Sequence, residues 1–198
     1  MLNDCSGKIA LVTGAGTGIG RACSMSLAEA GATVIVSDID ADTAADTAAI
    51  ICKKGGKARG LGQDVIDEGV WQEVIAGIAD KEGGLNVLVN NAGIAIGVAV
   101  TEMSLADWQR QNAVNLDGVF LGTKHAIPLI TQSGGGSIIN ISSVAGLIGA
   151  GGLAGYCATK GGVRLFTKAV AIECAAGDTN IRVNSVHPGI IDTDIWGK

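Results

Sequence analysis

Apolar runs and longer helical segments alternate along the chain, and glycines stand at most of the junctions between them. Six short apolar runs are typical of strands buried on both faces, namely residues 8–13, 33–37, 57–61, 86–89, 137–141 and 181–186. Five longer segments predict helices, namely residues 21–30, 41–53, 68–81, 104–130 and 156–176, with Ser104 as the expected cap of the fourth. This alternation predicts a parallel sheet with helices on both faces.

The order of these elements also narrows the topology. Because crossovers between parallel strands are right-handed, we expect an α/β fold with a Rossmann-type, doubly wound sheet of six strands. No linker, repeat or low-complexity tract interrupts the chain, so residues 1–198 are expected to form a single domain.

Composition and charge exclude several classes of function. The net charge is −5 and no basic cluster occurs, so a nucleic-acid partner is not expected. No apolar run approaches the roughly 18 residues of a membrane-spanning helix, and the first residues lack the features of a signal peptide, so no membrane association is expected. With 47% hydrophobic residues, the chain has enough apolar side chains for a sizeable core.

The cysteines and histidines do not suggest a metal centre. The five cysteines are odd in number and widely spaced, without a Cys-x-x-Cys pair, which is typical of reduced thiols in the cytoplasm. His125 and His187 have no partners at metal-ligand spacing, so we expect ordinary packing or surface positions for both and no metal.

A glycine-rich turn follows the first predicted strand and precedes the first predicted helix, with the spacing Gly14-x-x-x-Gly18-x-Gly20. Glycines permit a tight turn and a close approach of backbone N–H groups to a diphosphate, and the positive end of the following helix faces that anion. No Gly-Lys-Ser/Thr follows, so a Walker-type site is disfavoured. The turn therefore predicts a dinucleotide site.

An acid, Asp38, stands at the end of the second predicted strand, 18 positions beyond Gly20. A carboxylate there can accept hydrogen bonds from both hydroxyls of an adenine ribose and would repel a 2′-phosphate. Neither Thr17 nor Ile39 supplies a base to bind such a phosphate. The sequence therefore predicts NAD rather than NADP as the cofactor.

Tyr156 is the only tyrosine of the chain, and Lys160 follows four positions later, so on a helix the two side chains share one face. The pKa of a phenol, about 10, is too high for efficient proton transfer near neutrality, and a neighbouring ammonium is expected to lower it. A nearby serine hydroxyl could then donate to a substrate oxygen. The pair alone is also compatible with an ordinary helix contact, but with such a serine it indicates proton transfer to an alcohol or carbonyl.

Six motifs together resemble the short-chain dehydrogenase/reductase family, and they occur in the family's order. They are the turn from Thr13 to Gly20, Asp64-Val65, Asn90-Asn91-Ala92-Gly93, Asn115, Ser143 with Tyr156-x-x-x-Lys160, and Pro188-Gly189. The resemblance covers nearly the whole chain. It implies an NAD-dependent oxidoreductase whose single domain both binds the dinucleotide and carries the catalytic residues.

The resemblance implies a role for each matched position. Tyr156 would be the general acid/base, and Lys160 would lower the pKa of the tyrosine and bind the nicotinamide ribose. Ser143, thirteen residues before the tyrosine, would hold the substrate oxygen, and Asn115 would hold a water beside the lysine. Asn90 would brace the central sheet. The implied cofactor contacts are Gly14, Thr17, Gly18, Ile19, Gly20, Asp38, Asp64, Val65, Asn91, Ala92, Gly93, Tyr156, Lys160, Pro188, Gly189, Ile191 and Thr193.

The substrate is expected to be apolar, because the loops at residues 94–100 and 146–155 carry small and aliphatic side chains. A secondary alcohol, cyclic or steroid-like, and its ketone fit best. Two alternatives stay open at this point: a 3-oxoacyl-thioester reductase, which commonly uses NADPH, and a non-catalytic NAD-binding protein.

The family continues beyond Pro188-Gly189 with a substrate-covering segment, a further helix and a seventh strand. We therefore expect these parts to be missing and the 198 residues to be a fragment of a longer protein. Trp196 follows the Pro-Gly pair and is expected to face the substrate pocket. Family behaviour also implies a homo-oligomer, a tetramer or a dimer.

Overall fold

A computed structural model describes residues 4–193 and residue 195, so Trp196 lies outside the described residues. The strands are β1 (Ile9–Val12), β2 (Thr33–Asp38), β3 (Lys57–Gly62), β4 (Val87–Asn90), β5 (Gly136–Ile141) and β6 (Ile181–Val186). The α-helices are α1 (Gly18–Glu29), α2 (Ala41–Lys53), α3 (Glu68–Glu82), α4 (Leu105–Asn112), α5 (Gly118–Gln132) and α6 (Ala154–Ala176). None of these helices is both long and apolar enough to cross a membrane.

The six strands form one parallel sheet in the order β3-β2-β1-β4-β5-β6. This confirms the predicted doubly wound fold. The strand order reverses between β1 and β4, and ligands of such sheets bind beyond the carboxyl ends of the strands at that point. Among the described strands, β6 lies at one edge of the sheet and β3 at the other.

Side chains of the strands enter two separate cores, one on each face of the sheet, and the inner strands contribute alternate side chains to both. On one face, Leu11 and Leu88 pack with Trp71 of α3 and Ile130 of α5. On the other face, Val12 packs with side chains of α1 and α2, among them Ala28, Ala44 and Ile51. Burial on both faces explains why the inner strands β1, β2 and β4 are apolar almost throughout, whereas the edge strand β6 alternates apolar and polar residues.

The predicted helix at residues 104–130 is interrupted. Helix α4 ends at Asn112, a π-helical segment spans Ala113–Asp117, and α5 continues from Gly118. The cap at Ser104 is confirmed, since its hydroxyl accepts the Asp107 N–H at 3.0 Å. An inserted π turn re-aims the side chains that it carries, and such turns are frequent at functional sites.

Candidate active site

The glycine-rich turn lies at the point where the strand order reverses. Helix α1 begins at Gly18, three residues before its predicted start, so the last glycines belong to its first turn. Thr17 precedes the helix with extended backbone, and within the described residues no side chain caps this end. No acid lies in the first turn. The leading N–H groups and the positive helix end are therefore available to an anion.

Close backbone packing requires the glycines of this turn. Gly14 has φ +58°, and a Cβ atom there would lie 2.7 Å from Ala92 Cα. A Cβ at Gly20 would collide with the Gly14 carbonyl oxygen and with the side-chain nitrogen of Asn91. The Asn91 amide donates to the carbonyl oxygens of Thr13 and Gly14 at 2.8 and 2.9 Å, which joins the loops after β1 and β4. Asn91 thus stabilises the glycine-rich turn through the backbone carbonyl groups of its first residues.

Asp38, the last residue of β2, faces the same cleft. Its Oδ2 accepts the Gly16 N–H at 2.9 Å and its Oδ1 accepts the Asp40 N–H at 3.1 Å, so the carboxylate has a defined position. Arg21, the base that directly follows the glycine-rich turn, donates to the Thr47 hydroxyl at 2.9 Å. Thr47 in turn donates to the Gly16 carbonyl oxygen.

A cleft of about 1030 Å³ runs from this turn along the carboxyl ends of the strands. All of the predicted site residues border it except Gly20, which is buried beneath the turn, and Asn115. Its charged side chains among the described residues are Asp38, Asp64, Arg110 and Lys160. The volume and the lining suit a ligand with two separated ends, one near Asp38 and one near Lys160.

Ser143, Tyr156 and Lys160 come together at the other end of the cleft from Asp38. Ser143 follows β5, Tyr156 lies in the first turn of α6, and Lys160 lies one turn later, as the spacing predicts. All three are buried, with exposed fractions of 8%, 5% and 3%. The Lys160 ammonium lies 5.7 Å from the centre of the Tyr156 ring and donates to the Ile141 carbonyl oxygen at 2.8 Å.

Burial is the main influence on the pKa values of Tyr156 and Lys160 in this structure. Burial raises the pKa of Tyr156, and a hydrogen bond with Ser143 offsets only part of that rise. The expected lowering of the phenol pKa by Lys160 is therefore not found. Burial also lowers the pKa of Lys160 to about 8, because the ammonium has lost most of its hydration. The phenol is protonated near neutrality and can donate a proton as it stands.

Asn115 lies in the π-helical segment and is fully buried behind the cleft. Its Oδ1 accepts the Ile94 N–H at 2.8 Å, and its Nδ2 donates to the Ile94 carbonyl oxygen at 2.9 Å and to Thr159 Oγ1 at 3.1 Å. A Cβ at Gly93 would lie 3.2 Å from Asn115 Oδ1 and 3.3 Å from Lys160 Nζ, so these two polar groups meet beside Gly93. Asn115 thus fixes the loop after β4 next to the lysine.

Asn90, at the end of β4, makes side-chain hydrogen bonds across the sheet. Its Nδ2 donates to Asn140 Oδ1 of β5 at 2.8 Å and to Thr123 Oγ1 of α5 at 3.2 Å. Asn140 extends the chain of contacts by donating to Thr167 of α6 at 3.0 Å. These bonds tie β4 and β5 to two helices directly below the cleft.

Several residues of the site carry no motif and were missed by sequence reasoning. His187, expected in an ordinary packing or surface position, lies with Nδ1 3.0 Å from the Ser143 carbonyl oxygen and Nε2 3.0 Å from Ser185 Oγ. Since a carbonyl only accepts, Nδ1 carries a proton and holds the Ser143 backbone. Further cleft-lining residues without a sequence signal are Gln63, Ile66, Gln109, Arg110, Ala113, Val114 and Ile141.

With this geometry in view, the chain belongs to the short-chain dehydrogenase family, whose model matches residues 8–198. It is therefore an oxidoreductase that acts on CH–OH groups with a nicotinamide cofactor. A solved structure of a short-chain type dehydrogenase/reductase from Mycobacterium marinum superposes with a TM-score of 0.94 at 38% identity, over 99% of this chain and 78% of that one.

Curated relatives share the family. A 2,5-dichloro-2,5-cyclohexadiene-1,4-diol dehydrogenase from Sphingobium indicum is 42% identical over 98% of this chain and 77% of the relative. A cyclopentanol dehydrogenase from Comamonas is 44% identical over 94% and 74%. Two relatives carry other descriptions: an NADP-dependent (R)-specific alcohol dehydrogenase from Lentilactobacillus kefiri (39%, over 98% and 77%) and a 3-oxoacyl-[acyl-carrier-protein] reductase from Synechocystis (43%, over 95% and 76%). The chain thus spans about three quarters of the length of these relatives.

Proposed function

We propose that this protein is an NAD(H)-dependent dehydrogenase that interconverts a secondary, cyclic and apolar alcohol and its ketone. The observation that carries the proposal is the meeting of Ser143, Tyr156 and Lys160 at one end of a cleft whose other end is bordered by Asp38. A protein that only bound a dinucleotide would need no buried tyrosine and lysine facing a serine, since burying an ammonium is costly.

The described residues fit a dinucleotide. The backbone approach at Gly14 leaves no room for a side chain, and the uncapped N-terminus of α1 suits a diphosphate. Gly14, Thr17, Gly18 and Ile19 would hold the diphosphate, Asp38 the adenine ribose, and Asp64 and Val65 the adenine. Asn91, Ala92, Gly93, Pro188, Gly189, Ile191 and Thr193 would line the nicotinamide half. When bound, the nicotinamide accepts a hydride from the alcohol carbon or returns it to the ketone.

The protein's own residues would then handle the proton and the oxygen. The Ser143 hydroxyl donates to the substrate oxygen and holds it as charge develops there. In ketone reduction, the protonated Tyr156 hydroxyl donates its proton to that oxygen, and in alcohol oxidation the phenolate takes it back. Lys160 binds the ribose hydroxyls and returns the proton towards solvent past Asn115. His187 keeps the Ser143 backbone in place through its carbonyl oxygen.

The preference for NAD rests on the charge of Asp38. Its carboxylate is held at the cleft by two backbone N–H groups, and Arg21 is engaged elsewhere, by Thr47. A 2′-phosphate would bring a second negative charge within a few ångströms of Asp38, which costs about 1–4 kcal/mol at such distances. The NADP-dependent relative shows that the family admits both cofactors.

Replacing Asp38 with Asn should raise the NADP-to-NAD ratio of kcat/KM by about tenfold, because it removes the charge, keeps the size of the side chain and leaves an acceptor for one of the two N–H groups. The measurement is steady-state kinetics with both cofactors. Asp40→Asn is the matched control, since Asp40 caps α2, does not border the cleft, and Asn caps equally well. A ratio for Asp38→Asn that stays within about twofold of wild type would refute the role.

The substrate end of the cleft is apolar. Ile94, Ala95 and Ile96, in the loop after β4, border the cleft, and so does Ile191 after β6. Apolar side chains around a polar centre favour an apolar substrate. Two relatives described as acting on a cyclic alcohol and a cyclic diol support the same class.

The test of the proposed function is a screen of the protein with NAD against cyclic and linear secondary alcohols, followed by NADH absorbance. We expect turnover with cyclic alcohols at rates above those with linear ones. The second candidate, a 3-oxoacyl-thioester reductase, is supported by the Synechocystis relative and predicts oxidation of NADPH with an acetoacetyl thioester instead. Binding of NAD without turnover of any alcohol or ketone would leave the non-catalytic alternative.

We also propose that the protein forms a homo-oligomer in the cytoplasm. The outward faces of α5 and α6 expose Phe120, Leu165 and Ile172 by 47%, 69% and 71%. Phe120 and Phe166 meet edge to face across the two helices, with ring centres 6.5 Å apart. Such an apolar face is typical of an interface. The five cysteines are unpaired, which supports a reducing compartment.

A further inference from the structure

One buried amide beside the cleft has no hydrogen-bond partner within the part of the chain that the structure describes. Gln63 directly follows β3, is only 3% exposed, and borders the cleft. Neither its Nε2 nor its Oε1 has a hydrogen-bond partner among the described residues. Its backbone is fixed, since its N–H donates to the Asp38 carbonyl oxygen at 2.7 Å. The backbone of Gln63 is thereby attached to that of Asp38, at the end of the cleft remote from Tyr156.

An unpaired buried amide is unfavourable, because both of its polar ends have lost water without gaining a partner. In native structures such groups are few, and those at functional sites are commonly satisfied by a ligand. A methionine or leucine of similar volume would fill the same space without this cost. The retention of a glutamine here therefore points to a ligand that supplies both a donor and an acceptor.

The surroundings indicate which part of a ligand this is. Ile39, Ile66 and Val114 also border the cleft and supply apolar surface against which an aromatic ring can pack. Asp64, the next residue, uses its Oδ1 to accept the Ile66 N–H at 3.2 Å. Adenine presents an amino donor beside a ring-nitrogen acceptor, and a primary amide pairs with both at once. An ionised phosphate only accepts hydrogen bonds, and a ribose hydroxyl carries its donor and acceptor on one oxygen rather than on two neighbouring atoms.

We propose that Gln63 is an adenine-binding residue whose amide pairs with the amino group and an adjacent ring nitrogen of the cofactor's base. This inference rests on the proposed dinucleotide cofactor and adds a contact beyond Asp64 and Val65. Gln63 would contribute to affinity for the adenosine half and take no part in proton transfer. Its stability cost in the unliganded protein would be recovered on binding.

The test is Gln63→Met, with Ser37→Ala as the matched control. Ser37 lies on the neighbouring strand β2, is fully buried, and also has an unpartnered side-chain oxygen among the described residues, but does not border the cleft. Both variants remove an unpaired polar group, so both should raise the melting temperature of the unliganded protein by a few degrees. Only Gln63→Met should weaken binding of ADP-ribose, by about tenfold in calorimetric titration.

The contribution of the adenine amino group to binding affinity is measured by comparing AMP with purine riboside 5′-monophosphate, which lacks that group. Wild type should bind AMP more tightly, and Gln63→Met should reduce that difference. An ADP-ribose Kd for Gln63→Met within twofold of wild type, or a lowered melting temperature with unchanged Kd, would overturn the inference. Gln63→Leu serves if Gln63→Met does not fold. A wild-type protein that fails to bind ADP-ribose would instead refute the proposed cofactor.

Discussion

Tyr156→Phe should lower kcat for alcohol oxidation by two to four orders of magnitude, the range that a positioned acid–base group contributes. The variant removes one oxygen atom and leaves the ring in its buried position beside Lys160, 5.7 Å from the ammonium. Without the hydroxyl, no group at that place can exchange a proton with the substrate oxygen. The measurement is steady-state kinetics on the best alcohol found in the screen.

Cofactor binding and folding distinguish this loss from a collapse of the site. The Kd for NADH, followed by its fluorescence, and the melting temperature should both stay close to wild type. Cys157→Ala is the control at the adjacent position, because Cys157 does not border the cleft. It should keep kcat within about twofold. A Tyr156→Phe enzyme with a kcat near that of wild type would mean that another group transfers the proton.

The strands and their order could be predicted because the physical signals are local. A strand covered on both faces is apolar at nearly every position, as in β2 (Thr33–Asp38), and the edge strand β6 (Ile181–Val186), which is buried on one face, shows alternating apolar positions. Right-handed crossovers then left few topologies. The contact between Tyr156 and Lys160 was predictable for the same reason, since four residues along a helix place two side chains together.

The π-helical segment was not predictable from sequence. Residues 113–117 carry no glycine or proline and suit an α-helix as well as their neighbours do. The segment is instead held by tertiary hydrogen bonds of Asn115, to Ile94 in the loop after β4 and to Thr159 on α6. Contacts between segments far apart in the chain override local propensity.

Burial explains the remaining differences. The helix spacing showed that an ammonium lies near the phenol, but the number of hydration waters that each loses depends on the packing of β5 and α6. For Tyr156, burial raises the pKa by more than the hydrogen bond with Ser143 lowers it, so the pKa rises. Gln63 and His187 were missed for a similar reason. Neither belongs to a spaced motif. The role of each depends on segments distant in sequence, since Gln63 borders the cleft and His187 contacts the Ser143 carbonyl oxygen.

The last prediction concerns Lys160, the buried cation of the site. Its pKa falls from the usual 10.5 to about 8 through burial. Between these two values the unfolded chain holds a proton that the folded protein has released, so the free energy of unfolding rises as pH rises through this window. The folded protein therefore carries no penalty for a buried charged Lys160 above pH 10.5, and it carries the full penalty once pH has fallen below about 8. A difference of this size corresponds to roughly 3 kcal/mol.

The measurement is urea unfolding of wild type and Lys160→Met at several pH values between 7 and 11, without cofactor. Other groups titrate in the same range, among them Cys23, whose pKa burial raises, so the quantity to examine is the difference between the two proteins. Lys160→Met should be the more stable by up to about 3 kcal/mol near pH 7, and the difference should shrink towards pH 10.5.

Lys168→Met on the exposed face of the same helix is the control and should show no such pH-dependent difference. Curves for wild type and Lys160→Met that run parallel over the window would mean that the ammonium is not desolvated as the structure has it. A stabilised but catalytically impaired Lys160→Met would show that the site keeps a cation at the expense of folding stability. That is expected only where the charge serves binding or proton transfer.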